Sequence, residues 1–220
     1  GQRAGAASGA GGAQHTPVWL RARPALKGAS GGGRLARRGT LFLVAGPSGA
    51  GKDSLIAAAR AAFAEDPHYV FPRRHITRPE DAGGEDHIEV SPAVFEIAKR
   101  EGAYSLTWRS HGLSYGIPVG IEEALSDGSS VVINVSRAVL DEARRRFQPA
   151  KVVLVTAPPR VLAERLSVRG RESAADVIER IERAHYAPPS GPDVVTIDNS
   201  GKLADAAKAF IAALCSEGRN

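Results

Sequence analysis

The feature that most constrains this chain is a glycine-rich run between an apolar stretch and a helical one. The run reads Gly46-Pro47-Ser48-Gly49-Ala50-Gly51-Lys52-Asp53 and continues with Ser54. It matches the pattern G-x-x-x-x-G-K-[ST] at every position except the last. Glycines let successive backbone N–H groups curl around phosphate oxygens, and a helix beginning near Lys52 adds the positive end of its dipole. We therefore predict that residues 46–54 bind the phosphates of ATP, with Lys52 reaching the β- and γ-phosphates.

The last position of this pattern departs from the usual residue. Asp53 stands where a serine or threonine hydroxyl ordinarily ligates Mg²⁺. A carboxylate is also a hard oxygen ligand, so we predict that Asp53 binds the metal. Two alternatives stay open: Asp53 only caps the helix, or Ser54 supplies the ligand from one helical step further on.

From residue 40 onward, short apolar runs alternate with helical patterns. The predicted strands are residues 41–44, 131–133, 152–155 and 194–197. Continuous valine, isoleucine and leucine runs are typical of strands covered on both faces. Charged helical stretches follow at residues 138–147 and 160–168, and an apolar face runs along a closing helix from Leu203 to Leu214. This alternation predicts an α/β fold with a parallel sheet between helical layers.

The net charge of +5 comes from the first residues rather than from the predicted domain. Seven of the 29 bases and none of the 24 acids lie in residues 1–38, and the remainder is slightly acidic. We predict that residues 1–38 form a disordered basic tail rich in glycine and alanine, ahead of one domain at residues 39–220. An arm for an anionic partner and a transit-like peptide stay open as alternatives. A basic face for nucleic acid is not supported.

Composition excludes other classes of function. The chain has no run near the ~18 apolar residues that a membrane-spanning helix needs, so no membrane partner is expected. Cys215 is the only cysteine, which excludes an intramolecular disulfide and a cysteine zinc cluster and favours a reducing, cytoplasmic location. Aromatic residues make up 5% of the chain, too few for a platform that stacks single-stranded nucleic acid. A homodimer is left open.

Several motifs after the loop point to a family. They are Arg74-His75-Ile76-Thr77-Arg78-Pro79, Glu85-Asp86-His87-Ile88, His111-Gly112-Leu113-Ser114-Tyr115-Gly116, Asn134-Val135-Ser136-Arg137 and Arg169-Gly170-Arg171-Glu172. Together with the Lys-Asp-Ser ending of the loop, they resemble the ribose 1,5-bisphosphate phosphokinases, a family that is itself similar to the guanylate kinases. The resemblance covers about residues 40–215 in order.

The resemblance implies a fold and a reaction. The fold is a guanylate-kinase-like P-loop kinase with a parallel five-stranded core, a substrate-binding insertion over about residues 73–120 and a lid near residues 165–173. The reaction moves the γ-phosphoryl group of ATP, with Mg²⁺, onto the 1-phosphate of a phosphorylated sugar, ribose 1,5-bisphosphate. The product is 5-phosphoribosyl 1-diphosphate (PRPP). Whether the enzyme serves phosphonate breakdown or nucleotide supply stays open.

The resemblance also implies acceptor-binding residues. Thr77-Arg78 keeps the T-R of the segment that binds the acceptor phosphate in guanylate kinases, while Glu80-Asp81 stand where a second arginine is expected. Arg78, with Arg73 or Arg74 nearby, is the candidate that grips a phosphate in bidentate fashion. The remaining substrate-binding candidates are His87, for which a solvent-facing ring is the alternative, and Tyr115.

Residues that read a guanine base in guanylate kinases are missing here. Thr107 precedes Trp108, where those kinases carry a glutamate, and the two aspartates of their D-I-D segment become Asn134 and Ser136. Trp108 itself is predicted to belong to the core. We therefore expect phosphate recognition without base recognition.

Arginines near the predicted lid complete the catalytic candidates. Arg165, Arg169 and Arg171 would neutralise charge on the transferred phosphoryl group when the lid closes. The alternative for Arg165 is a surface pair with Glu164 or Glu172. No general base is proposed, because a phosphate acceptor is already ionised at neutral pH. Lys52, Mg²⁺ and the arginines would act by alignment and charge neutralisation.

Two other functions remain as alternatives to this one. The first is a guanylate kinase or another nucleoside monophosphate kinase, which the residues at positions 107, 134 and 136 disfavour. The second is a catalytically inactive guanylate-kinase-like interaction module, which need not keep the Gly46, Gly51 and Lys52 that are present here.

Overall fold

The computed structural model describes residues 38–80, 85–167 and 188–218. The helices are α1 (Lys52–Ala62), α2 (Pro92–Arg100), α3 (Gly120–Ser126), α4 (Leu140–Arg146), α5 (Pro159–Ser167) and α6 (Leu203–Gly218). The strands are β1 (Leu41–Ala45), β2 (Tyr69–Val70), β3 (His75–Ile76), β4 (Ile88–Glu89), β5 (Tyr104–Ser110), β6 (Leu113–Pro118), β7 (Ser130–Asn134), β8 (Ala150–Thr156) and β9 (Val194–Asp198). The tail predicted at residues 1–38 lies outside the described residues, except for Arg38.

A parallel sheet of five strands forms the centre of the described chain. Its order is β2-β7-β1-β8-β9, and every neighbouring pair is parallel. Four of these strands are the apolar runs predicted from sequence. The fifth, β2, has only two residues, too few to show a hydrophobic pattern.

The sheet buries both faces, as the continuous apolar runs predict. Along β1, Leu41 and Leu43 pack into one core cluster and Phe42 and Val44 into another. Residues of α3 and α4 cover the first face, and residues of α1, α5 and α6 cover the second. Because side chains alternate across a strand, this arrangement requires a helical layer on each side. The predicted three-layer α/β fold is confirmed.

A second, smaller sheet lies in the predicted insertion. Its order is β4-β3-β6-β5, with β6 antiparallel to both β3 and β5. Helix α2 follows β4, begins at the N-cap Ser91 with a proline in its first turn, and packs Phe95 and Ala98 inward. In the part of the chain that the structure describes, no helix has the length and apolar character needed to cross a bilayer.

Candidate active site

Three glycines shape the loop between β1 and α1. Gly46, Gly49 and Gly51 have φ angles of 147°, 82° and 87°, a region that residues with a Cβ rarely adopt. A Cβ at Gly46 would overlap the backbone oxygen of Val155 on the neighbouring strand. Gly51 is the N-cap of α1, and among the described residues no side chain caps this helix end. The first N–H groups of α1 can therefore donate to phosphate oxygens.

Lys52 is the first residue of α1, and its ammonium group turns back onto the loop. Nζ donates to the backbone oxygens of Gly46 and Pro47, at 2.9 Å each. Burial lowers the pKa of Lys52 from 10.5 to about 8, against the opposing influence of the Asp53 carboxylate beside it. The protein thus compensates the charge of Lys52 only in part, which favours a bound phosphate oxygen.

Asp53 does not cap the helix. Its Oδ1 accepts a hydrogen bond from Nδ2 of Asn134, at 2.7 Å, and its side chain is otherwise exposed. Asn134 is the last residue of β7 and pairs in register with Val44 of β1. The carboxylate therefore lies where the loop enters α1, at the ends of two parallel strands. This position fits the predicted metal-binding role better than the capping alternative.

Two clefts flank the start of α1, and Ser54 lines both of them. The first encloses about 370 Å³ and is lined by Asp53, Ser54, Ile56, Ala57, Arg60, Pro72, Arg74, Glu85, Asp86, Val132 and Asn134. The second encloses about 450 Å³ and is lined by Gly49, Gly51, Ser54, Glu164, Arg165, Asn199 and Leu203. The first turn of α1 therefore lies between two separate clefts.

Sequence analysis missed Asn199, which holds the loop from behind. This residue is 2% exposed, and its Nδ2 donates to the backbone oxygen of Ala50 at 2.7 Å. Its Oδ1 is buried and has no partner among the described residues. The available signal was its position directly after the last predicted strand, since the carboxyl ends of parallel strands meet at one edge.

Arg165 lies at the loop as well. Its Nη2 donates to the backbone oxygen of Asn199 at 2.8 Å, and its Nη1 lies 3.5 Å from the backbone oxygen of Gly49. Glu164, one of its two predicted alternative partners, pairs instead with Arg160 at 3.0 Å. Glu172, the other, lies outside the described residues, so the role of Arg165 at the phosphates stays a prediction that its place at the loop supports. Arg169 and Arg171 lie outside the described residues, together with most of the predicted lid.

On the acceptor side, Arg74 is engaged within the protein. The guanidinium forms a fork with the Glu85 carboxylate, with Nε donating to Oε2 at 2.7 Å and Nη2 donating to Oε1. Nη1 donates to the backbone oxygen of Asn134 at 3.1 Å. We expected Arg74 to bind the substrate directly. In the structure, Arg74 instead connects the second sheet to β7 through these hydrogen bonds.

Arg78 retains donors for a ligand. Its Nε is buried without a partner among the described residues, and its Nη2 lies 3.9 Å from Oε1 of Glu85. A buried N–H group without an acceptor is costly unless a ligand supplies one. Arg78 therefore remains the candidate that grips a phosphate of the acceptor.

His87 supports Arg78 rather than facing the cleft. The ring is 2% exposed, with Nδ1 3.0 Å from the backbone oxygen of Glu85 and Nε2 3.0 Å from that of Arg78. Nδ1 also lies 3.4 Å from Nη2 of Arg78, so both ring nitrogens are engaged within the protein. This geometry contradicts the expectation of a phosphate contact and also the alternative of a solvent-facing ring.

Tyr115 and Trp108 form the wall behind Arg74. Their rings stack with centroids 5.2 Å apart, and the Arg74 guanidinium lies 5.2 Å from the Tyr115 centroid. Burial raises the pKa of Tyr115 above its usual value of 10.0. Trp108 is 8% exposed and belongs to the core, as predicted. Tyr115 is half-buried, so its hydroxyl remains a candidate donor to the acceptor.

The chain is similar to curated kinases along most of its length, although no family-level sequence profile matches it. The ribose 1,5-bisphosphate phosphokinase PhnN of Desulfomicrobium baculatum is 44% identical over 170 residues, covering 77% of this chain and 91% of that protein. The protein of the same name from Acidiphilium cryptum is 48% identical over 183 residues, covering 83% and 97%. The chain belongs to the ribose 1,5-bisphosphate phosphokinase family.

This member of the ribose 1,5-bisphosphate phosphokinase family shares its fold with a guanylate kinase. The crystal structure of guanylate kinase from Anaplasma phagocytophilum matches with a TM-score of 0.58 and 18% identity, covering 85% of this chain and 90% of that one. Identity at this level shows the fold alone. The predicted P-loop kinase architecture is confirmed.

The lowered pKa of Lys52 gives this chain a testable pH dependence of stability. Unfolding restores the ordinary pKa of 10.5, so between about pH 8 and 10.5 the unfolded chain binds more protons than the folded one. The free energy of unfolding should therefore rise with pH across that window, by at most roughly 3 kcal/mol at about 1.4 kcal/mol per pH unit. Below about pH 8 this contribution is constant and unfavourable.

Urea unfolding of the protein without nucleotide, from pH 7 to 10, measures this effect. Lys52→Met should be the more stable protein at pH 7, and its advantage over the wild type should shrink as the pH rises. Lys99→Met, at an exposed position in the last turn of α2, is the matched control and should follow the wild type. A constant difference between Lys52→Met and the wild type would show that the pKa of Lys52 is unshifted.

Proposed function

We propose that the chain transfers the γ-phosphoryl group of ATP to the 1-phosphate of ribose 1,5-bisphosphate and thereby forms PRPP. Membership of the family supports this reaction, and one structural observation at the candidate active site also supports it. The partly buried carboxylate of the acceptor cleft, Glu85, is engaged by Arg74, while Nε of the neighbouring Arg78 is buried without a partner among the described residues. A cleft of this kind suits an acceptor that carries phosphates and no base.

The loop fits the triphosphate of ATP. The left-handed glycines and the uncapped first turn of α1 offer backbone N–H donors, and Lys52 adds a partly compensated cation. The side-chain amide of Asn199 donates to the backbone oxygen of Ala50 in the loop. Arg165 donates to the backbone oxygens of Gly49 and Asn199. The protein thus presents rigid donors to the phosphates, which is the main requirement of phosphoryl transfer.

Residues at the start of α1 fit a divalent metal. The Asp53 carboxylate and the Ser54 hydroxyl are hard oxygen donors on exposed side chains, which suit Mg²⁺. When bound, Mg²⁺ neutralises charge on the transferred phosphate. We assign Asp53 as the ligand, because its position in the sequence is that of the usual hydroxyl ligand.

Catalysis by these residues needs no proton transfer. The 1-phosphate of the acceptor is already anionic at neutral pH, so a base has nothing to remove. Arg78 and the Tyr115 hydroxyl would orient the acceptor, and Lys52 and Arg165 would stabilise charge on the moving phosphoryl group. Arg169 and Arg171 are assigned the same task from the predicted lid.

Product analysis tests this proposal directly. The purified protein is incubated with ATP, Mg²⁺ and ribose 1,5-bisphosphate, and phosphorus NMR follows the phosphate groups. We expect ADP and PRPP to appear in equal amounts, with a new diphosphate resonance on the sugar. ADP without PRPP, or PRPP only from another acceptor, would contradict the proposal.

A further inference from the structure

The Asp53 carboxylate is held by a chain of contacts that reaches across the acceptor cleft. Its Oδ1 accepts from Nδ2 of Asn134 at 2.7 Å, and the backbone oxygen of Asn134 accepts from Nη1 of Arg74 at 3.1 Å. Arg74 in turn is forked to Glu85. Asn134 is therefore fixed on both sides, by its side chain and by its backbone.

The direction of the Asp53–Asn134 bond is set by chemistry. An ionised carboxylate accepts only, so the amide must present its N–H group to Oδ1. Among the described residues, Oδ2 of Asp53 has no hydrogen-bond partner, and both residues line the cleft of about 370 Å³. One oxygen is thus used for positioning and the other is left for a cation.

The residue at position 134 must be neutral for this arrangement to exist. An aspartate there would place a second carboxylate at hydrogen-bond distance from the first, and two like charges at that distance repel strongly. The two departures noted in the sequence, a carboxylate at 53 and an amide at 134, are therefore matched. Together, Asp53 and Asn134 carry one negative charge. That charge lies on α1 rather than at the end of β7.

We propose that Asn134 is a positioning residue, and that Asp53 and Asn134 act as one unit presenting a single carboxylate to the divalent metal of the nucleotide. This inference rests on the proposed use of Mg²⁺–ATP. Asn134 touches no reacting atom, and its effect passes through Asp53. Replacement of residues that orient metal ligands typically costs about 10- to 100-fold in metal affinity.

Calorimetric titration with ATP, in Mg²⁺ and separately in EDTA, tests the unit without relying on turnover. The measured quantity is the ratio of the two affinities, which is the gain due to the metal. Asp53→Ser and Asn134→Asp should each reduce this gain about 10-fold or more. The double variant D53S/N134D restores one carboxylate beside one neutral group, so it should recover most of the gain.

Asn134→Ala removes the hold on Asp53 without adding charge. It should reduce the metal gain and leave binding of ATP in EDTA unchanged, which a general structural defect would not do. Asp141→Ser is the matched control, since Asp141 is also an acidic residue in the first turn of a helix and its side chain is 82% exposed. This control should keep the full gain.

The outcomes separate the two proposals. If the losses of metal gain in the two single variants simply add in D53S/N134D, Asp53 and Asn134 do not act as a unit. An unchanged metal gain in Asn134→Ala would lead to the same conclusion. Thermal unfolding checks each variant, and if Asn134→Asp fails to fold, Asn134→Ala and the double variant decide. A wild-type protein that shows the metal gain but forms no PRPP would contradict the proposed reaction and leave this inference standing.

Discussion

Replacing Lys52 with alanine is expected to lower kcat at least about 100-fold, or about 2.7 kcal/mol of transition-state stabilisation. Its ammonium group donates to two backbone oxygens of the loop that we propose binds the phosphates of ATP. Since burial of this charge costs stability, the alanine variant should remain folded. Steady-state rates with ATP and ribose 1,5-bisphosphate, together with a thermal unfolding curve, measure both effects.

Two further lysine variants test the role of Lys52. Lys99→Ala, on the exposed side of α2, should keep the wild-type kcat. Lys52→Arg keeps the charge, but its planar guanidinium differs in shape from the compact ammonium group, so it should stay impaired. A folded Lys52→Ala protein with the wild-type kcat would remove the loop lysine from the mechanism.

Ribose 1,5-bisphosphate is expected to exceed GMP in kcat/KM by at least about 100-fold. The N–H donors of guanine would need a carboxylate, and Thr107 offers only a weak neutral acceptor at that position. Glu85, a partly buried carboxylate that lines the cleft, already accepts from Arg74 through both of its oxygens. Binding GMP would therefore leave buried donors unpaired, at roughly 1–3 kcal/mol for each group.

Rates with both acceptors, at fixed ATP and Mg²⁺, decide this prediction. Ribose 5-phosphate, which lacks the 1-phosphate, is the matched control and should give no diphosphate product. Glu85→Gln weakens the fork with Arg74 and should slow turnover of the bisphosphate without creating activity on GMP. Comparable kcat/KM values for GMP and the bisphosphate would contradict this prediction and favour the alternative of a nucleoside monophosphate kinase.

The central sheet was predictable because its strands are long, apolar and buried on both faces. The continuous runs in β1, β7 and β8 can be satisfied only between two helical layers, and the loop motif fixes the first strand–helix connection. The two-residue strands β2, β3 and β4 carry no such pattern, so their pairing depends on the rest of the fold. The resemblance supplied the fifth strand and the insertion.

The contacts of the residues expected to bind the acceptor were less predictable, because several partners are available to each charged side chain. Motif position alone suggested that Arg74 and His87 face the substrate. The fold instead gives Arg74 a carboxylate 11 positions away and a carbonyl 60 positions away. His87 is buried against backbone oxygens. Such pairings follow from how the insertion packs on β7, which residue type and spacing do not specify.

The bond from Asn199 to Ala50 has a consequence for how the chain becomes competent during synthesis. The two residues are 149 positions apart, and Asn199 directly follows β9, the last strand of the central sheet. A ribosome therefore completes the loop sequence long before the residue that braces it exists. Since contacts between distant positions are slow to form, the loop should reach its final shape only after residue 199 has been made and β9 has joined the sheet.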